Sequence, residues 1–301
     1  MIAPSRRKFL DLRALAALEH LRFTTRQRIE GAYSGRHTSR RQGGAGEFAD
    51  FREYTAGDDL RALDWKVLAR TGRSYLRLFQ DETNLVCTLA IDASRSMDFA
   101  GQGGASKLAY VQHLASALGY MIGRQQDQVG LALIANGLET YLPPASTPTH
   151  LAGVYDGIEN LTGRTRPVSN LADGLRTLFQ RSSQRGVLML MSDFLVDDLE
   201  PVFAAVRLFR HRQYEVVLMH VIHPDEERLP DGAAFRFEGL ENDGWVDGSP
   251  AEIKQLYEER FAAHVGMVRN LALAAGCDYR RVFTGTPYLR TLGGFLVERT
   301  G

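Results

Sequence analysis

The distribution of apolar residues changes character along the chain. Up to about residue 84, apolar positions are scattered among charges. Phe9, Leu12, Leu15, Ala16, Leu18 and Leu21 form a loosely helical stripe within 6–30. Residues 31–46 are polar and glycine-rich and read as a loop. The pattern over 58–70 predicts a short helix with Asp58 or Asp59 as N-cap and Gly72 stopping it. Tyr75-Leu76-Arg77-Leu78-Phe79 alternates as a strand does.

From residue 85 onward, apolar runs alternate with helical stripes, the signature of a parallel sheet covered on both faces. Residues 85–91 are continuously apolar, as a strand buried on both sides must be. Leu108, Val111, Leu114, Ala115, Leu118 and Met121 mark a helix over 107–122. A strand at 129–135 meets Asn136-Gly137, which predicts a tight hairpin into an antiparallel edge strand at 138–142. Helices are expected near 147–161, 170–182, 198–210, 251–275 and 287–299, and strands at 187–191, 215–222 and 279–283. Residues 224–249, rich in charge and glycine, read as a surface excursion. The expected architecture is a six-stranded, mostly parallel α/β sheet at 85–301, with a segment at 1–84 packed on it.

Charge adds an asymmetry. The 301 residues hold 36 Lys/Arg and 36 Asp/Glu, a net charge of zero that argues against nucleic acid as a partner. Residues 1–84 nevertheless carry 16 basic against 11 acidic side chains, and the remainder 20 against 25, a difference that favours docking of the two parts. Cys87 and Cys277 are the only cysteines, each in or beside an apolar run without CxxC spacing, and fit buried thiols in a reducing compartment. No stretch of 18 uncharged apolar residues exists to span a membrane, and charges interrupt the N-terminal apolar stripe where a signal peptide would be continuous. A cytoplasmic location is expected.

The chemistry concentrates after the first buried strand, in Asp92-Ala93-Ser94-Arg95-Ser96-Met97. Ligands in open α/β sheets bind outside the carboxyl ends of strands, where the strand order reverses. A carboxylate there with hydroxyls at alternating positions offers only hard oxygen donors, which suit magnesium. The strand at 187–191 ends in Ser192-Asp193, a second carboxylate in the equivalent place, and Ser169-Asn170-Leu171 opens a helix on a third loop. This combination resembles the von Willebrand factor A fold and its metal-ion-dependent adhesion site, whose Asp-x-Ser-x-Ser, Thr and Asp fall on Asp92, Ser94, Ser96, Ser169 and Asp193. Ser169 departs from the usual threonine but keeps the hydroxyl. The resemblance implies a Mg2+ or Mn2+ ion held by these five residues, and strand order 3-2-1-4-5-6.

A second resemblance lies upstream. Glu47-Phe48, Arg52-Glu53-Tyr54, Gly57-Asp58-Asp59, Arg61, Asp64-Trp65-Lys66 and Ala69-Arg70-Thr71-Gly72 form a dense string. It is similar to the signature of the bacterial domain of unknown function fifty-eight family, which couples this segment to a von Willebrand A-like domain. Its members are typically encoded beside MoxR-type AAA+ ATPases. The alternating charges of the string suit an ion-pair network, and Phe51, Tyr54 and Trp65 are expected to be partly buried.

Other motifs are weaker. Gly43-Gly44-Ala45-Gly46 lacks the Lys-Ser/Thr of a phosphate-binding loop. His220 and His223 have no third ligand at zinc-like spacing, and Ser94 lies outside a GxSxG motif. The expected function is therefore a non-enzymatic, metal-dependent protein-interaction adaptor. Its partner would be a MoxR-type AAA+ ATPase, or a client presenting an acidic residue to the ion. Two rivals stand beside it: a magnesium-dependent hydrolase or phosphotransferase using Asp92, and a metal-free scaffold.

Overall fold

The computed structural model describes residues 7–25, 47–55, 63–80, 85–102, 104–161, 170–182, 185–228, 235–238, 245–248 and 250–300. Two compact units result: Met1–Thr24 group with Leu85–Gly301, and Thr25–Asn84 form a unit of their own. The division expected at residue 84 is thus one of two, and the first residues of the chain belong with the sheet.

The chain begins with a single turn, α1 (Leu12–Leu15), continued by a 3-10 turn at Ala16–Leu18. Asp11 caps α1 by accepting from the Arg13 and Ala14 amides. The helical stripe expected over 6–30 therefore yields only these two turns among the described residues, because Phe9, Leu15 and Phe23 are buried as anchors of an irregular segment.

The smaller unit pairs β1 (Glu47–Glu53) antiparallel with β2 (Tyr75–Gln80), with α2 (Trp65–Thr71) between them. The N-cap of α2 is Asp64, which accepts from the Lys66 and Val67 amides at 2.9 and 3.1 Å. This corrects the earlier start expected at Asp58 or Asp59, which lie outside the described residues. Gly72 does stop the helix, in the left-handed region at φ 71°, where a side chain would be strained. Trp65 departs from expectation: it stands 60% exposed as the first residue of the seven-residue α2.

The larger unit begins with β3 (Val86–Asp92), α3 (Lys107–Arg124), β4 (Gln128–Ala135), β5 (Gly137–Ala145), α4 (Pro148–Glu159) and α5 (Leu171–Arg181). It continues with β6 (Val187–Ser192), α6 (Leu199–His211), β7 (Glu215–Ile222), α7 (Pro224–Glu227) and a separate hairpin, β8 (Phe235–Glu238) with β9 (Trp245–Gly248). The last elements are α8 (Pro250–Ala274), β10 (Asp278–Phe283) and α9 (Tyr288–Thr300). The sheet order is β10-β7-β6-β3-β4-β5, which in chain order is the expected 3-2-1-4-5-6. Every neighbouring pair is parallel except β4–β5, whose hairpin turns at Gly137 with φ 88°.

Alternate residues of each central strand enter opposite cores. Cys87, Leu89 and Ile91 of β3 join Val187, Met189 and Met191 of β6 beneath α3, α4 and α9. Ala90, Leu188 and Leu190 face the other layer, made by α5, α6 and α8. Burial on both faces explains why these strands are uninterrupted apolar runs. Both thiols are free and buried, and burial above all pushes Cys87 and Cys277 up to about 12.

Two features hold the end of the sheet opposite the carboxyl ends of β3 and β6. A Cβ on Gly186, just before β6, would sit 2.2 Å from the carbonyl oxygen of Val86. Backbone cannot yield there cheaply, so Gly186→Ala is expected to cost about 1–3 kcal/mol or more, read as a lower urea midpoint at unchanged slope. The second feature is Arg299, fully buried. Its guanidinium pairs with Glu215 and Asp278, donates from Nε to the Thr24 carbonyl at 2.7 Å, and lies 4.9 and 5.0 Å from the Phe23 and Phe295 ring centres. One side chain thus ties the N-terminal segment to β7, β10 and α9.

Candidate metal centre

Strands β3 and β6 are neighbours, and the helices that follow them, α3 and α6, pack on opposite faces. Their carboxyl ends therefore open a crevice between the two connections. Asp92, the last residue of β3, is buried there, with Ser94 and Ser96 on the following turn and Asp193 directly after β6. The structure thus brings together four of the five residues singled out from sequence. Ser169 lies outside the described residues. Its neighbour Asn170 donates its amide to the Ala135 carbonyl at the end of β4 and caps α5.

Hydrogen bonds fix the cluster. The Ser94 amide donates to Asp92 Oδ1 at 2.9 Å, and the Ser192 hydroxyl donates to Asp92 Oδ2 at 2.5 Å. Ser94 and Ser96 hydroxyls lie 3.0 Å apart, and Ser96 reaches Asp193. Asp193 Oδ1 accepts the Leu195 amide at 3.1 Å. Phe194, the next residue after Asp193, sits at φ 54°, a conformation costly for a bulky side chain. The bend is held by the Phe194 amide, which donates to Ser192 Oγ at 2.9 Å, and by rings of Phe203 and His220 packed around it.

Three participants were not anticipated. Ser192 orients Asp92, as described. Lys107, the first residue of α3, is wholly buried and places Nζ 2.7 Å from Asp193 Oδ2. The same ammonium pairs with Glu226 of α7, whose other oxygen accepts the His223 amide at 2.8 Å. Lys107 had a signal in the sequence: it falls four residues before Val111 and seven before Leu114, in line with the apolar stripe of α3. Glu226 had none, since it comes from a charged segment more than a hundred residues away. His220 and His223 have structural roles: His220 Nδ1 meets Tyr279 Oη at 2.8 Å, and His223 caps α7.

The electrostatics follow from burial. Removal from water, and then the charge of Asp193, push Asp92 up to about 6. Burial acts the same way on Asp193, but the Lys107 ammonium outweighs it and holds this carboxyl below its ordinary range. Burial lowers Lys107, yet Asp193 and Glu226 more than offset it. Burial takes His220 down to about 4, so its ring is neutral at physiological pH. Three buried carboxylates, Asp92, Asp193 and Glu226, thus share the cluster with one buried ammonium, which pairs with the last two, leaving a deficit of two positive charges.

That deficit tests whether a divalent ion suits the residues. Among the described residues, no three His, Cys, Asp or Glu side chains converge on one ion. An ion here would draw on Asp92, Ser94, Ser96 and Asp193, all oxygen donors, with water filling the other positions. This is the chemistry of magnesium or manganese, and a charge of +2 neutralises the cluster. The residues fit the group.

The sheet order, the two-sided helical cover and the crevice define a von Willebrand factor A-like domain. The chain belongs to the family described as Protein of unknown function DUF58, whose pattern matches residues 50–266. An uncharacterized protein of Mycobacterium tuberculosis is 30% identical over 225 residues, spanning 73% of this chain and 69% of the relative. Among solved structures, an aerotolerance-related membrane protein from Bacteroides fragilis superposes with TM-score 0.51 at 18% identity, covering 72% of this chain and 98% of that one. BatB from Bacteroides thetaiotaomicron gives 0.49 at 17% identity, with 72% and 99% covered. Among the described residues of this chain, no helix is long and apolar enough to cross a membrane.

Proposed function

We propose that this protein is a metal-dependent protein-interaction adaptor. Its crevice holds Mg2+ or Mn2+ and leaves coordination positions open for an acidic residue of a partner. The observation that carries this reading is the buried, oxygen-only cluster with two uncompensated negative charges at the sheet's switch point. A divalent ion there attracts a carboxylate strongly once the interface is partly dry, and supplies an anchor without an extended apolar surface. The partner named by this reading is a MoxR-type AAA+ ATPase, or a client that such an ATPase remodels, on the strength of the family signature at 47–72. The adaptor acts in the cytoplasm and carries out no chemistry of its own.

Asp92→Ala is expected to abolish Mn2+ binding in calorimetry, because it removes the carboxylate around which Ser94 and Ser192 are arranged. Capture of the partner from cell extract should fall in step in this variant and under chelation, and return when magnesium is added back. Circular dichroism checks that the variant is folded. Undiminished Mn2+ binding in Asp92→Ala would refute the site, and identical captured proteins in all samples would refute the docking role.

A further inference from the structure

The cluster already contains one cation of its own. Lys107 is 0% exposed, and two of its three donors are spent on carboxylates from different parts of the chain, Asp193 at 2.7 Å and Glu226. Its ammonium lies 5.8 Å from the Phe99 ring centre, and its backbone amide donates to the Phe99 carbonyl at 3.0 Å, so both ends of the residue are fixed. The segment bearing Glu226 is fastened to the Asp92 loop elsewhere too. Gln102 N donates to Asp225 Oδ2 at 2.8 Å, His223 packs edge-on against Phe99, and Gly101, at φ 57°, leaves no room for a Cβ beside Asp225 and His223.

We infer that Lys107 and Glu226 are charge-setting residues of the metal centre, which together tune it to a divalent ion. This rests on the proposed metal-binding reading. Asp193 Oδ2 accepts from Lys107 and Oδ1 from the Leu195 amide, so the ammonium acts directly on one of the carboxylates that would hold the ion. The charge count makes the assignment quantitative. Asp92, Asp193 and Glu226 against Lys107 give −2. The other titratable neighbours leave it unchanged: His220 and His264 are both shifted downward by burial, Asp98 is offset by Arg95, and Asp225 is at the partly exposed rim.

A mere clasp and a charge-setting pair predict different things when the pair is cut from each side. Lys107→Met takes the cluster to −3, Glu226→Gln to −1, and the double variant returns it to −2 with the ion pair gone. Mn2+ titrations at pH 8, read by the electron paramagnetic resonance signal of the free ion, distinguish the two accounts. Charge setting predicts Mn2+ binding at least roughly tenfold tighter in Lys107→Met, at least roughly tenfold weaker in Glu226→Gln, and close to wild type in the double variant, the direction being set by one buried charge at short range. The double variant buries neither an unpaired ammonium nor the Glu226 carboxylate, so it decides the matter even where Lys107→Met fails to fold. Weaker binding in the double variant than in Glu226→Gln alone overturns the inference, while wild-type binding keeps the metal reading intact. Absence of Mn2+ binding in the wild type removes the metal reading itself, and the inference with it.

Discussion

Arg299→Ala is expected to destabilise the larger unit by about 3–5 kcal/mol, the cost of breaking a buried ion pair from one side. The substitution takes away a guanidinium that is 0% exposed, while Glu215 and Asp278, at 9% and 10% exposed, stay where they are. Asp278 keeps Arg280 Nε at 2.9 Å. The loss also deprives the Thr24 carbonyl of its donor and empties the space beside Phe23 and Phe295. Arg299→Lys retains the charge but not the planar fork that serves two carboxylates and a carbonyl, and should fall between alanine and wild type. Urea unfolding gives the magnitude, and hydrogen exchange gives the place: amides near Thr24 should lose protection before those of β3 and β6. A cost below about 1 kcal/mol would show that the network is an incidental arrangement of charges.

Arg299 also illustrates what the linear sequence conceals. The order of strands and helices from residue 85 was legible because a parallel sheet covered on both faces imposes continuous apolar runs, as in Val86–Asp92 and Val187–Ser192. β1 was not legible. Its register shifts between Phe48 and Asp50, a bulge that interrupts the two-residue alternation by which a strand is recognised. The same contrast divides the candidate site. Asp92, Ser94, Ser96 and Asp193 could be read directly, because they lie within a few residues of two strand ends. Lys107 and Glu226 reach the cluster from the first turns of two helices. A charged residue at a helix start reads first as a solvent-facing or capping group. Only the tertiary arrangement shows that their charges are spent on each other and on Asp193.

Asp92→Asn is expected to make the ion-free protein more stable while removing its response to magnesium. Burial and Asp193 hold the Asp92 carboxyl at about 6 in the folded chain, against an ordinary 3.8. The folded state therefore binds this proton more tightly than the unfolded chain does. Its contribution favours folding below pH 3.8 and is lost as pH rises through about 6. At pH 8 the chelated wild type bears the whole penalty, and the asparagine bears none, a gain of about 1–3 kcal/mol for the variant. The amide oxygen can still accept from the Ser94 amide, and the Ser192 hydroxyl can turn to accept from the new amino group. Magnesium closes the gap. An ion at a hundred times its dissociation constant stabilises the wild type by about 2.7 kcal/mol through mass action, and a neutral amide gives it little to bind. Thermal unfolding at pH 8, with chelator and with excess magnesium, should therefore show two curves for the wild type and one for Asp92→Asn, the variant lying above the chelated wild type. An asparagine variant that melts below the chelated wild type, or gains as much from magnesium, would mean that Asp92 is a structural acceptor and no ligand. Convergence of the two proteins in magnesium would show that the fold gives up stability at this carboxylate and recovers it when the ion arrives.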